Sequence, residues 1–187
     1  GNCGRLGLGD RNNRNVPTRV PALDGIVAVD AGDGFSVALG ADGLLRTWGF
    51  NYYGQLGLGD HGDGTHRMVP TLVEGLNEVV DVAAGGQHCL AVRADGTIWS
   101  WGRRDYGQLG HANTIDLDVP TRIEHAALSD VRVVRVAAGY YHSMAVTETG
   151  RLFTWGQGAF GCLGVGDHGD RHVPTLVEGA EGVAAVD

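Results

Sequence analysis

Lysine is missing from this chain altogether: its 14 cationic side chains are all arginines, set against 22 acids for a net charge of −8. Phosphate-backbone binding rests on clustered positive charge, so direct nucleic-acid binding through a basic patch is not expected. Cysteine is scarce, with Cys3, Cys89 and Cys162 odd in number and far apart. That pattern excludes a disulfide framework and fits a reducing, intracellular compartment, cytoplasmic or nuclear. No stretch approaches the roughly 20 apolar residues of a membrane span, so none is expected. No segment repeats apolar residues at helical spacing over three turns, which leaves an all-β chain. Serine occurs four times, at Ser36, Ser100, Ser129 and Ser143, never within Gly-x-Ser-x-Gly. Nothing in the pattern marks a base poised beside a nucleophile, so the chain is not expected to be an enzyme or to need a cofactor.

What the chain has in quantity is glycine, 32 residues of it, placed periodically. Gly4-Arg-Leu-Gly-Leu-Gly9 returns as Gly54-Gln-Leu-Gly-Leu-Gly59, Gly107-Gln-Leu-Gly110 and Gly161-Cys-Leu-Gly-Val-Gly166. Val-Pro-Thr recurs at 16–18, 69–71, 119–121 and 173–175, using four of the five prolines. Trp-Gly closes the units at Trp48-Gly49, Trp101-Gly102 and Trp155-Gly156. Self-similarity at this spacing marks a propeller or solenoid array. Residues that recur in every unit are expected to hold the unit together.

One unit, from 69, reads as four strands: a Pro-led segment at Pro70–Glu74, Val79–Ala84, His88–Val92 and Thr97–Trp101, with Asp95-Gly96 as a hairpin turn. Such a sheet has two faces to bury and must pack on its neighbour. The chain divides into a single array over 1–187, with units near 1–15 (partial), 16–68, 69–118, 119–172 and 173–187 (partial).

The combination of Gly-x-x-His, Asp-Gly, Trp-Gly and Gly-Gln-Leu-Gly-x-Gly resembles the RCC1 (regulator of chromosome condensation) repeat family over essentially the whole chain. The resemblance implies a β-propeller of four-stranded antiparallel blades, incomplete here at about half of a seven-bladed ring. A piece of a longer protein is the favoured reading of that count, with self-association through open blade edges as a further expectation. The resemblance also implies protein partners. A protein-interaction scaffold is the leading expectation, and guanine-nucleotide exchange on a small GTPase is the alternative. The plant-type ultraviolet-receptor branch has Trp-Arg inside the Gly-x-x-His turns, where this chain has Asp33-Gly34, Gly86-Gln87 and Tyr140-Tyr141.

Recurring residues point to the frame. Gly85 and Gly139 are expected to need backbone conformations costly for other residues. His88 and His142 share one repeat position with Phe35, which favours a buried ring bonded to backbone over a metal ligand. Asp60-His-Gly-Asp63 and Asp167-His-Gly-Asp170 lack calcium-loop spacing and read as solvated loops. The spelling G-x-G-x-x-G at 57–62 and 164–169 precedes Pro-containing strands, not helices, and does not make a dinucleotide site. Positions that vary between units are the candidates for recognition. These are Asp33, Gln87, Arg103, Arg104, Tyr140 and Tyr141, because aromatics and arginine on loops of a rigid scaffold make binding hot spots.

Overall fold

The computed structural model describes residues 1–112 and 115–186. Among these described residues, twelve strands form three separate antiparallel sheets, each a simple meander of consecutive strands. The first is β1 (Ile26–Ala31), β2 (Phe35–Gly40), β3 (Leu45–Gly49) and β4 (Arg67–Leu72). The second is β5 (Val79–Ala84), β6 (His88–Arg93), β7 (Ile98–Gly102) and β8 (Leu117–Arg122). The third is β9 (Val133–Ala138), β10 (His142–Thr147), β11 (Leu152–Gly156) and β12 (Arg171–Leu176). Only single 3-10 turns interrupt this pattern among the described residues.

The strand carrying Val-Pro-Thr closes a sheet instead of opening one. Pro70 lies in β4, which pairs with β3 through Arg46↔Leu72 and Thr47↔Thr71. The sequence unit that begins at residue 69 therefore starts on a strand owned by the sheet before it. Proline has no N–H for a ladder and tolerates only an edge, and the fourth strand is the edge. The Val16-Pro17-Thr18 copy pairs with no strand, and Val16 is exposed.

The sheets stack through their first and second strands: β1 and β2 meet β5, and β5 and β6 meet β9. They fan outward from that line toward β4, β8 and β12. Two apolar cores fill the wedges between them. Phe35, Val37, Leu39, Leu56 and Val82 belong to the first, and Leu90, Val92, Ile98, Val136 and Phe153 to the second. Strand β6 is buried nearly throughout because both its faces are covered.

Each marker of the repeat has a physical task. The indole Nε1 of Trp48, Trp101 and Trp155 donates to the carbonyls of Arg5, Gln55 and Gln108 at 2.9, 3.0 and 2.8 Å. Those carbonyls sit second in the Gly-x-Leu-Gly turn of the preceding unit, so each of these three Trp ties one sheet to the loop before it. The closing glycine of that motif lies against the same indole. A Cβ at Gly57, which has φ +70°, would fall 2.8 Å from Trp101 Nε1. The motif's leucines, Leu56, Leu109 and Leu163, are buried, and their carbonyls accept from Thr47, Ser100 and Thr154.

Gly85 and Gly139 correct an expectation. Neither has positive φ. Their constraint is a ring: a Cβ on Gly139 would stand 2.2 Å from His142 Cε1, and one on Gly85 2.1 Å from His88 Cε1.

Candidate functional site

Antiparallel meanders put alternate connections on opposite faces. One face carries the β1–β2, β5–β6 and β9–β10 turns together with the long loops after β3, β7 and β11. The Glu124–Arg132 segment joins β8 to β9 and lies on the other face.

On the first face the turns are laced together. Asp33 N–H donates to the Gly86 carbonyl at 2.8 Å, and Gly86 N–H to the Tyr140 carbonyl at 3.2 Å. The Tyr140 hydroxyl then reaches across the middle blade to Asp33 Oδ2 at 2.9 Å. Gly86 permits this crossing, since a Cβ there would lie 2.8 Å from Tyr140 Cδ1. The accepting carboxylate holds the phenol proton and raises the Tyr140 pKa.

Outward from these turns runs a ribbon of rings. Tyr140 meets Tyr141 edge-on at 4.5 Å between centroids, and Tyr141 meets Tyr106 at 4.8 Å. The Arg103 guanidinium lies 4.6 Å from the Tyr53 centroid and 6.0 Å from that of Tyr141. Arg103 Nη1 also donates to Gln87 Oε1 at 2.6 Å, and Nε to Asp105 Oδ2 at 2.8 Å. Tyr53 continues the ribbon to Tyr52 and Phe50, and Phe50 packs on His66. Five of the six sequence-derived candidates, Asp33, Gln87, Arg103, Tyr140 and Tyr141, thus lie in one connected array spanning three blades.

Arg104 does not join them. It is fully buried, its backbone N–H donates to Asp116 Oδ1 at 2.9 Å, and burial lowers its pKa to about 10. A side chain in that place offers a partner no surface. The repeat alignment carries the signal: Asn51 holds the same loop position and is buried too, and the Gly158 N–H donates to Asp170 as Arg104 does to Asp116. Phe50, Tyr52, Tyr53 and Tyr106 are ribbon members outside the six candidates.

His88 is buried as expected, but its partner is a side chain. His88 Nε2 lies 2.9 Å from Ser143 Oγ, and Ser143 Oγ donates to the Gln108 carbonyl at 2.8 Å. A carbonyl only accepts, so the hydroxyl donates to it and His88 supplies Nε2–H to the hydroxyl. The imidazole is neutral, with burial pushing its pKa down to about 3. The acidic loops hold themselves by ion pairs: Asp60 with Arg67, and Asp167 with Arg171. Among the described residues no group of three or more His, Cys, Asp or Glu is placed to hold a metal ion.

The whole chain, residues 1–187, matches the model of the RCC1-like domain. This chain belongs to the RCC1-like domain family. It is 41% identical over 187 residues to the ultraviolet-B receptor UVR8 of Arabidopsis thaliana, covering 97% of this chain and 41% of that protein. It is 40% identical over 191 residues to the human E3 ubiquitin-protein ligase HERC2, covering 98% of this chain and 4% of HERC2. Among solved structures it is similar to Prp20p of Saccharomyces cerevisiae, with a TM-score of 0.80, 28% identity, and coverage of 95% of this chain and 45% of that one. Prp20 is yeast RCC1, also solved with Kap60 bound. The chain therefore spans less than half the length of each of these relatives, and its three sheets are blades of an RCC1-type propeller.

The expectation that the chain is not an enzyme is overturned by these relatives. One is a ligase by name, and another is yeast RCC1, Prp20p, whose binding to Gsp1p has been characterised. The missing nucleophile and metal were the wrong test. A catalyst of nucleotide release makes and breaks no covalent bond, and needs only to bind one state of its partner better than another.

Proposed function

We propose that this chain is the partner-recognising portion of an RCC1-type exchange factor, and that its ribbon face engages a small GTPase. The observation that carries the reading is the continuous array from Phe50 to Asp33 on a single face, built from turns of all three blades. Aromatic and arginine side chains on a rigid frame are what protein interfaces use as anchors. The likeness to Prp20p, whose binding to Gsp1p has been characterised, supports the choice of partner class. The acidic balance and the absence of lysine go with a protein partner over a nucleic acid. An intracellular setting accompanies this reading.

The test is release of a fluorescent GDP analogue from Gsp1p, with affinity measured by titration. Accelerated release, or saturable binding lost in a Tyr140→Ala/Tyr141→Ala variant of unchanged fold, supports it. Absence of both binding and release sinks it. The identity to HERC2, higher than that to Prp20p, favours a second reading in which the same face presents substrates to a ligase. The UVR8 likeness carries no such weight, because the three turns lack the Trp-Arg pairs of that branch.

A further inference from the structure

Where the three turns converge, Ala31–Asp33, Ala84–Gly86 and Ala138–Tyr140 line an open concavity of about 410 Å³. Its floor is bare backbone by necessity. Side chains on Gly32, Gly85 and Gly139 would strike Phe35, His88 and His142, and one on Gly86 would strike Tyr140. A single charge stands at this hollow, the exposed carboxylate of Asp33, with the half-exposed ring of Tyr140 beside it.

We propose that the Asp33–Tyr140 pair seats an arginine side chain presented by a partner protein. This deepens the proposed function and rests on its placing of the binding face. The same face already shows what such a pairing does. Arg103 lies over Tyr53 and against Asp105, a guanidinium held between a phenol ring and a carboxylate. Asp33 and Tyr140 repeat that pairing without the arginine. Asp60, Asp105 and Asp167 on this face each pair with an arginine of their own chain, whereas Asp33 makes no ion pair among the described residues. One Asp33 oxygen takes the Tyr140 hydroxyl, and the other remains available to a donor. The tyrosine orients the carboxylate and offers a flat face. A planar guanidinium uses both features, stacking and hydrogen bonding at once. A lysine ammonium is a compact point charge with no plane to stack. The bare floor gives the arginine stem room to enter, and the net charge of −8 favours approach of a cationic partner to the chain.

The test uses short capped peptides, Gly-Arg-Gly against Gly-Lys-Gly and Gly-citrulline-Gly, titrated into the labelled chain and followed by amide and tyrosine-ring NMR shifts. The arginine peptide is expected to move Gly32–Gly34, Gly86 and Tyr140 saturably. Citrulline keeps the shape and drops the charge, and is expected to bind at least ten-fold more weakly. Asp33→Asn, which still accepts from Tyr140, is expected to lose at least ten-fold. Equal binding of citrulline, an unchanged Asp33→Asn, or shifts confined to other loops overturns the seat. Equal binding of lysine overturns the guanidinium assignment. Gsp1p binding that ignores Asp33→Asn defeats this inference and leaves the proposed function standing. Arginine-peptide binding without Gsp1p binding does the reverse.

Discussion

The carbonyl of Gln108 receives two donors from the third blade, Trp155 Nε1 and Ser143 Oγ, both at 2.8 Å. All three side chains are buried. Replacing Trp155 with Phe removes one hydrogen bond and part of a packed ring, a loss of about 3 kcal/mol, yet the carbonyl keeps its hydroxyl donor. Replacing Ser143 with Ala removes the other bond and leaves His88 Nε2 without its acceptor, costing about 1–2 kcal/mol, while the indole still serves the carbonyl. Only the double variant orphans the carbonyl in a closed interior. Its loss is expected to exceed the sum of the singles by about 1–2 kcal/mol, the desolvation cost of an unpaired peptide oxygen. Urea unfolding of the four proteins, with the slope m compared alongside the midpoint, measures the coupling. A second cycle, Trp155→Phe with Ser36→Ala, serves as control. Ser36 bonds the Arg5 carbonyl and shares no partner with Trp155, so that pair should add within about 0.5 kcal/mol. An additive result for Trp155 and Ser143 would refute the account of the inter-blade tie as one carbonyl held from two sides.

His88 is neutral in the fold with a pKa near 3, below its unfolded value of 6.5, so the stability it protects is whole above pH 6.5 and is lost as pH falls toward the folded pKa. At pH 5 that loss is about 2 kcal/mol, and His88→Phe, which copies Phe35 of the first blade, is expected to remove it from the pH profile of unfolding. Glu78 sits at φ +54° where the first blade has Gly25, so Glu78→Gly should stabilise the chain by about 1 kcal/mol, seen as a raised urea midpoint. Phe160 has φ +60° and is 99% exposed, and Phe160→Gly should both raise the midpoint and reduce binding of a hydrophobic dye. Gly139→Ala should destabilise by about 1–3 kcal/mol through displacement of the His142 ring, with calorimetry as the check, even though its φ is ordinary.

Much of the frame was legible because it recurs. The second blade's inner strands follow from β-branched runs and from Asp95-Gly96, and Val79–Ala84 is a strand end to end. Strand membership was not legible for Val-Pro-Thr. Periodicity fixes that a strand lies at Pro70, but not which neighbour supplies its ladder, since both flanking strands are close in sequence. At the site, the grouping of Asp33, Gln87, Arg103, Tyr140 and Tyr141 came from variation on a regular scaffold, which isolates residues that the scaffold does not need. Arg104 failed because charge was read as exposure. Two adjacent arginines point to opposite sides of an extended loop, and only the buried Asn51 in the matching position tells which one turns inward. The Tyr140–Asp33 bridge joins residues 107 apart and depends on how far one ring can reach, which no spacing encodes.

The Trp-to-carbonyl tie always runs from a sheet to the loop immediately before it, and never skips a sheet. Apart from the Tyr140–Asp33 bridge on the turn face, these ties join residues no more than about one repeat apart. A stretch of fifty-odd residues copied in tandem would arrive with its own indole, its own accepting carbonyl and its own paired edge, and would disturb no existing bond. The architecture is for that reason tolerant of duplication in a way a shared central core is not, and recognition can drift on the turns of one copy while its neighbours keep their packing unchanged.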